Sequence, residues 1–262
     1  MILTETMLKD VSSKFRAAHY HEALLLIDDY LLLAQQSEDV DAQCYLYYIA
    51  LNIDANLAND DNLQRRFALY ERLIQQSPSV LERLKFIHVA ALMQMKLHQD
   101  YEQAKKTLLR LLAQMEDHDF EQQYPNIYIS IYAHLMECFM HLEEVNHVLK
   151  YYNIIDRIYV QKLLHLDATT YFALHSVLAQ SYIEQKQLIT AEMIIEDCLS
   201  LPQIEQNLKS KGTFLILNSA LYALRNDFKT SNKLYEEAML LVSPNVSRHI
   251  LNELSTIFVH YL

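Results

Sequence analysis

The chain has 262 residues, of which 52% are apolar and 18 are tyrosine, with four prolines and one glycine, Gly212. So little glycine leaves hairpins and phosphate-cradling loops without the backbone freedom they need, and it excludes the GxxxxGK[ST], GxGxxG and GxSxG motifs of nucleotide-binding and hydrolytic enzymes. The formal net charge of −11, with no basic run longer than the pairs Arg65-Arg66 and Lys105-Lys106, opposes direct binding of nucleic acid, which draws on clustered Lys and Arg.

Helices are what remain, and apolar periodicity with proline punctuation arranges them as six pairs, each a first arm and a second arm. Pair one runs over 3–17 and 20–36. Pair two covers 41–57 and 61–76 and stops where Pro78 follows RLIQQS, because a residue without an N–H and with a fixed φ ends a helix. Pair three covers 80–97 and 101–115. Pro125 opens the apolar run NIYISIYAHLMECFM as a first-turn proline, so pair four is 125–141 and 143–163. Pair five covers 168–184 and 188–200, closed by Pro202, and pair six covers 207–224 and 228–242, closed by Pro244. The last stretch, NVSRHILNELSTIFVHYL, puts Ile250, Leu251, Leu254, Ile257, Phe258 and Tyr261 on one stripe, the pattern of a single helix that caps a stack.

The amino terminus, MILTETMLKD, has no basic n-region followed by an apolar stretch, and charges such as Asp28-Asp29 interrupt the most apolar helices. No signal peptide, membrane span or membrane partner is expected, and the expected location is the cytoplasm. Cys44, Cys138 and Cys198 are odd in number and far apart, which suits reduced, semi-buried small residues rather than a disulfide framework.

One spacing recurs. Tyr182 is followed nine residues on by Ala191, and Tyr222 nine residues on by Ser231. A large residue on one helix and a small residue at a fixed distance on the next let two antiparallel helices pack closely. Ala23, Ala104, Ala191 and Ser231 take the small position, each three residues after a bulky residue (Tyr20, Tyr101, Leu188 and Phe228) that is expected to close the turn. Arg66 and Val145 stand in for it in pairs two and four, which gives successive intervals of 38 to 46 residues.

At these positions the chain resembles the tetratricopeptide repeat superfamily. His175, Leu178, Ala179, Tyr182, Ala191, Ile195 and Cys198 match the family pattern in pair five, and Leu215, Asn218, Ser219, Tyr222, Ser231, Tyr235 and Ala238 match it in pair six. The intervals exceed the family's commonest repeat of about 34 residues. Long irregular repeats of this texture resemble bacterial regulatory modules, namely the peptide-sensing half of Gram-positive pheromone receptors and the repeat segments that precede signalling output domains. The resemblance implies an all-α, right-handed α-solenoid of about six antiparallel helix pairs plus a C-terminal capping helix, as a single domain over 1–262. It also implies a non-enzymatic scaffold, without a cofactor, that holds a protein or peptide segment on a concave face. A receptor for a small signalling peptide and a homodimerisation module for an attached output domain are the alternatives.

Carrying the family's groove positions onto the first arms gives Tyr48 and Asn52 in pair two, Phe86, Val89 and Met93 in pair three, and Ser130, His134 and Glu137 in pair four. Pair five supplies Ser176, Gln180 and Glu184, and pair six Thr213, Ile216 and Ala220. Amides and hydroxyls among them suit an extended peptide backbone, and aromatic and Met side chains suit its side chains. The same residues at helical spacing also serve as packing between neighbouring pairs. His134, Cys138 and His141 share one helix face at ligand-like spacing, but three ligands from one helix rarely close a tetrahedral site and no fourth is evident, so no metal is assigned. The carboxylate clamp of chaperone-binding relatives needs Lys and Asn where pair one has Leu8 and Ser12.

Overall fold

A computed structural model describes residues 4–57, 59–77, 79–117, 120–155, 160, 163–165, 167–242 and 259–260, and among them every regular element is helical. The first three pairs are α1 (Glu5–Arg16) with α2 (Tyr20–Gln36), α3 (Val40–Asn56) with α4 (Asp60–Ile74), and α5 (Val80–Lys96) with α6 (Tyr101–Asp117). A one-turn helix α7 (Phe120–Gln123) precedes α8 (Pro125–His141) and α9 (Val145–Ile154). Then come α10 (Ala168–Glu184) and α11 (Leu188–Ser200), a 3-10 turn over Pro202–Gln206, and α12 (Leu208–Leu224) with α13 (Phe228–Val242).

These bounds fall close to those expected from periodicity and proline, with two additions, α7 and the 3-10 turn. The second arm of pair four differs, since α9 ends at Ile154 rather than near 163. Pro78, Pro244 and, apart from Val259 and His260, the expected capping helix lie outside the described residues. Among the described residues no helix is long and apolar enough to cross a membrane.

Local chemistry sets the helix starts. The side chains of Thr4, Asp39, Asn59, Asp167 and Asn207 each accept from an amide three residues on, satisfying one of the N–H groups that a helix N-terminus leaves open. Five of the six turns inside the pairs share one geometry. The N–H of His19 bonds back to the carbonyl of Lys14, and the same five-residue return joins Asn59 to Asp54, Glu144 to Phe139, Gln187 to Tyr182 and Asp227 to Tyr222. In pair three Asp100 reaches Gln94 instead. This is the helix-ending motif that needs a left-handed residue, usually glycine. Here the left-handed positions are filled by Ala18, Gln99, Glu143, Lys186 and Asn226, with φ between 53° and 63°.

The turn accounts for the nine-residue spacing. Five residues run from Tyr182 to Gln187 across the turn, and the carbonyl of Gln187 then accepts from the N–H of Ala191, four residues into the next helix. His19 and Ala23, Asn59 and Leu63, Asp100 and Ala104, and Asp227 and Ser231 repeat this bond. The anchor of pair two is therefore Leu63, not Arg66. By the same count from Glu144, the residue capping α9, the anchor of pair four is Val148 rather than Val145. The corrected intervals are 40 to 44 residues, more even than the sequence suggested. Of the bulky residues that open the second arms, Tyr20, Tyr101 and Leu188 are half-buried, whereas Phe228 is 54% exposed.

The chain divides into two compact units, Met1–Cys138 and Phe139–Leu262. In the first, α1 lies against α2 and α3, and α3 against α4 and α5, which packs on α6. Its core joins Val11, Ala23 and Ile27 to Leu46, Ile49, Leu51 and Ile53 of α3 and to Leu63 and Tyr70 of α4. In the second, α10 packs on α9, α11 and α12, and α12 on α13. Phe172 and Phe214 meet edge to face in its core, 6.1 Å apart, with Ala179, Ala191, Ile195 and Cys198 around them. Between α12 and α13 the Ser219 hydroxyl donates to the Ser231 carbonyl at 2.7 Å, a separation only small side chains permit.

Candidate functional site

A line of polar side chains crosses the first arms of the first unit. The Tyr48 hydroxyl on α3 is 3.2 Å from Nδ1 of His88 on α5, and Nε2 of His88 is 2.9 Å from Nδ1 of His134 on α8. Tyr48 is 8% exposed and His88 0%, whereas His134 is half-exposed. Burial pushes the His88 imidazole well below its usual range, and a charge on His134 would push it further in the same direction. His88 is therefore neutral at neutral pH, with one ring nitrogen donating and the other accepting.

One turn before His88, Lys85 is buried at 5% exposure, its ammonium 2.6 Å from Glu82 Oε1 and 4.9 and 5.6 Å from the ring centres of Tyr45 and Tyr48. A carboxylate together with two aromatic faces compensates the charge that burial would otherwise expel. The pairing is incomplete, since Glu82 Oε2 is buried with no hydrogen-bond partner among the described residues. Burial accordingly raises the Glu82 carboxyl despite Lys85. One turn beyond Met93, Lys96 reaches across to Glu137 of α8 at 2.6 Å.

Against this frame the expected groove residues separate by environment. Asn52 is 6% exposed and spends its amide on the Tyr48 carbonyl of its own helix at 2.8 Å, so that N–H group is not offered to a peptide. Val89 and Met93 belong to the core cluster, and Phe86 stacks on Phe67 and meets Tyr70 edge-on, both from α4. Ser130, His134 and Glu137 of α8 are half-exposed. In the second unit Ser176, Gln180 and Glu184 follow one another at turn spacing on α10 and are half-exposed, and Glu184 lies 2.8 Å from His260. Thr213 is half-exposed with its hydroxyl donating to the Lys209 carbonyl, whereas Ile216 and Ala220 are fully buried.

The reason is packing on several sides. Thirteen of the seventeen residues of α3 are buried, so a first arm flanked by other first arms and by its own second arm keeps only a narrow outward strip. The half-exposed polar groups on α8 and α10 mark such strips.

His88, Lys85, Glu82 and Lys96 are polar members of this region that the spacing argument passed over. The signal available for them was a set of charges and a histidine placed within an otherwise apolar first arm. Arg66 has a separate role. It is 7% exposed and joins three helices, its guanidinium lying 2.7 Å from Asp54 of α3 and 3.3 Å from Asp28 of α2. Asp54 is fully buried, and burial outweighs Arg66 and raises its carboxyl.

Of the helix face with ligand-like spacing, His134 is engaged with His88, Cys138 is fully buried and His141 is exposed. Among the described residues no group of three His, Cys, Asp or Glu is arranged to hold a metal ion. The three cysteines are buried and unbridged, and burial pushes each thiol up to about 12. At neutral pH such thiols are protonated and poorly nucleophilic.

In the second unit the His175 ring stacks on Tyr171 at 4.0 Å and donates from Nδ1 to the Tyr171 carbonyl at 2.8 Å. Burial lowers its pKa, partly offset by that bond.

No protein-family model matches the chain. No curated protein matches it either.

Proposed function

We propose that this chain is a non-enzymatic, cytoplasmic scaffold of the tetratricopeptide kind, a right-handed solenoid of helix pairs whose first arms hold a segment of another protein. On this reading it is a regulatory module of a bacterial signalling protein, without a cofactor and without direct contact to nucleic acid or membrane. The observation that carries the reading is the repeated pair: a buried anchor four residues into each second arm recurs at 40 to 44 residues, and five of the six pairs share one turn geometry. Each such pair buries its apolar side against its neighbours and leaves a strip of the first arm outward.

The strips are polar at peptide-compatible spacing. Ser176, Gln180 and Glu184 on α10 and Ser130, His134 and Glu137 on α8 offer hydroxyl, amide, imidazole and carboxylate groups along successive turns. Such groups hydrogen-bond an extended backbone and leave side-chain contacts to the flanking aromatics. The test is affinity capture from the native host with mass spectrometry, comparing wild type with Gln180→Ala. Gln180 is only partly buried and belongs to no core cluster, so the variant is expected to keep its melting temperature and lose captured partner several-fold. Equal capture by both proteins would overturn the assignment of this strip.

A further inference from the structure

We propose that Tyr48, His88 and His134 form a reversible hydrogen-bond relay, in which proton uptake by the half-exposed His134 on α8 reverses the bond to the buried Tyr48 hydroxyl on α3. The distances are 3.2 Å from Tyr48 to His88 and 2.9 Å from His88 to His134, so each bond has a donor and an acceptor whose identities are coupled. A neutral imidazole carries one N–H, and two orientations of the chain satisfy both bonds. In the forward one Tyr48 O–H donates to His88 Nδ1, and His88 Nε2–H donates to His134 Nδ1. In the reversed one His134 Nδ1–H donates to His88 Nε2, and His88 Nδ1–H donates to the Tyr48 oxygen.

With both rings neutral the forward chain is preferred, because a phenol O–H is the stronger donor and an imidazole nitrogen the stronger acceptor. A proton taken up by His134 removes the choice. Its Nδ1 then carries hydrogen, His88 Nε2 must accept, and the His88 hydrogen must move to Nδ1, where the Tyr48 oxygen accepts it. The proton count balances. One proton enters at His134, one hydrogen is exchanged between the two nitrogens of His88, and the Tyr48 O–H turns away from the ring.

Burial decides where the proton enters. His88 has no exposed surface, and a charge there would be both desolvated and beside His134, so the half-exposed ring takes it. Charged groups around the relay among the described residues have partners of their own. Lys85 sits over the Tyr48 ring with Glu82, Tyr70 of α4 donates to the Glu82 carbonyl, Lys96 and Glu137 pair between α5 and α8, and Lys105 of α6 pairs with Glu102. The relay needs no bound peptide, so its test is independent of the groove reading.

Long-range proton–nitrogen correlation spectra of the histidine rings, recorded on the full nitrogen-15-labelled chain from about pH 8 down to about pH 5.5, read the tautomers directly. The expected result is that His88 exchanges its protonated nitrogen from Nε2 to Nδ1 with the same midpoint at which His134 becomes an imidazolium. In His134→Gln the His88 step is expected to vanish, and in His141→Gln it is expected to remain. A single His88 tautomer while His134 titrates overturns the relay, as does a His88 step that survives in His134→Gln. Unfolding before His134 takes a proton overturns it too. Should His134→Gln not fold, the wild-type spectra decide alone.

Discussion

Arg66 shows how one residue can mislead a pattern and hold a structure. At the position where a small anchor was expected it is a buried cation, three residues past the true anchor Leu63, tied to a fully buried Asp54 and to Asp28. Such a pair adds little net stability compared with a well-packed apolar replacement, but removing one partner strands the other. Arg66→Met is therefore expected to cost about 3–5 kcal/mol, because Asp54 loses its main counter-charge in a site that already raises its pKa. The double variant Arg66→Met with Asp54→Leu is expected to recover most of that loss, since no buried charge is left unpaired. Urea unfolding of the three proteins separates the cases, and a single variant as stable as wild type would show that water reaches Asp54.

Among the elements, most helix bounds were legible because local signals mark them: a capping side chain such as Asp39, Asp167 or Asn207, an apolar stripe, or a proline near an end. Which side of a first arm faces outward was much less legible. The groove positions taken from a family pattern mix half-exposed Gln180 and His134 with fully buried Val89 and Ile216, and periodicity within one helix does not report what covers it from the next. A small residue marks the anchor in four pairs, but Leu63 and Val148 take the position in the other two, because the turn fixes a position and leaves the size of its occupant to local packing. The turn itself carries a prediction. Lys186 holds a left-handed conformation, with φ 59°, that costs a residue with a Cβ about 1–2 kcal/mol and a glycine almost nothing. Lys186→Gly is expected to stabilise the chain by about 0.5–1 kcal/mol after the added flexibility of the unfolded state is counted. Asn226→Gly, at φ 63°, is expected to gain less, since asparagine tolerates this region better than lysine. Thermal melts of the two variants check the order. A loss of stability in Lys186→Gly would mean that the lysine side chain contributes more than its backbone costs.

At the scale of the whole molecule, acid acts through groups that pull in opposite directions. His88 and His175 both have folded-state pKa values below the ordinary 6.5. The unfolded chain therefore binds protons at these rings that the folded chain refuses. Their contribution to stability is complete above about pH 6.5 and is lost as the pH falls below it, by up to about 1.4 kcal/mol per pH unit for each ring. Asp54 and Glu82 are raised above 3.8 and 4.5. The folded chain holds protons there that the unfolded chain has released, so these two groups lose stability as the pH rises through the window above those values. As the pH falls below about 6.5 the histidines thus weaken the fold, while the carboxylates oppose them wherever the pH lies between their ordinary and their raised values. His88→Leu is expected to be less stable than wild type at neutral pH, because Tyr48 and His134 lose a partner, yet to show a shallower acid slope by as much as about 1.4 kcal/mol per unit. Glu82→Gln is expected to steepen that slope by removing an opposing group. Urea midpoints measured at intervals through this range read the slopes directly. A His88→Leu slope equal to that of wild type would show that the ring is protonated in the folded chain, and the assignment of His88 as a neutral, buried link between α3 and α8 would then have to be withdrawn.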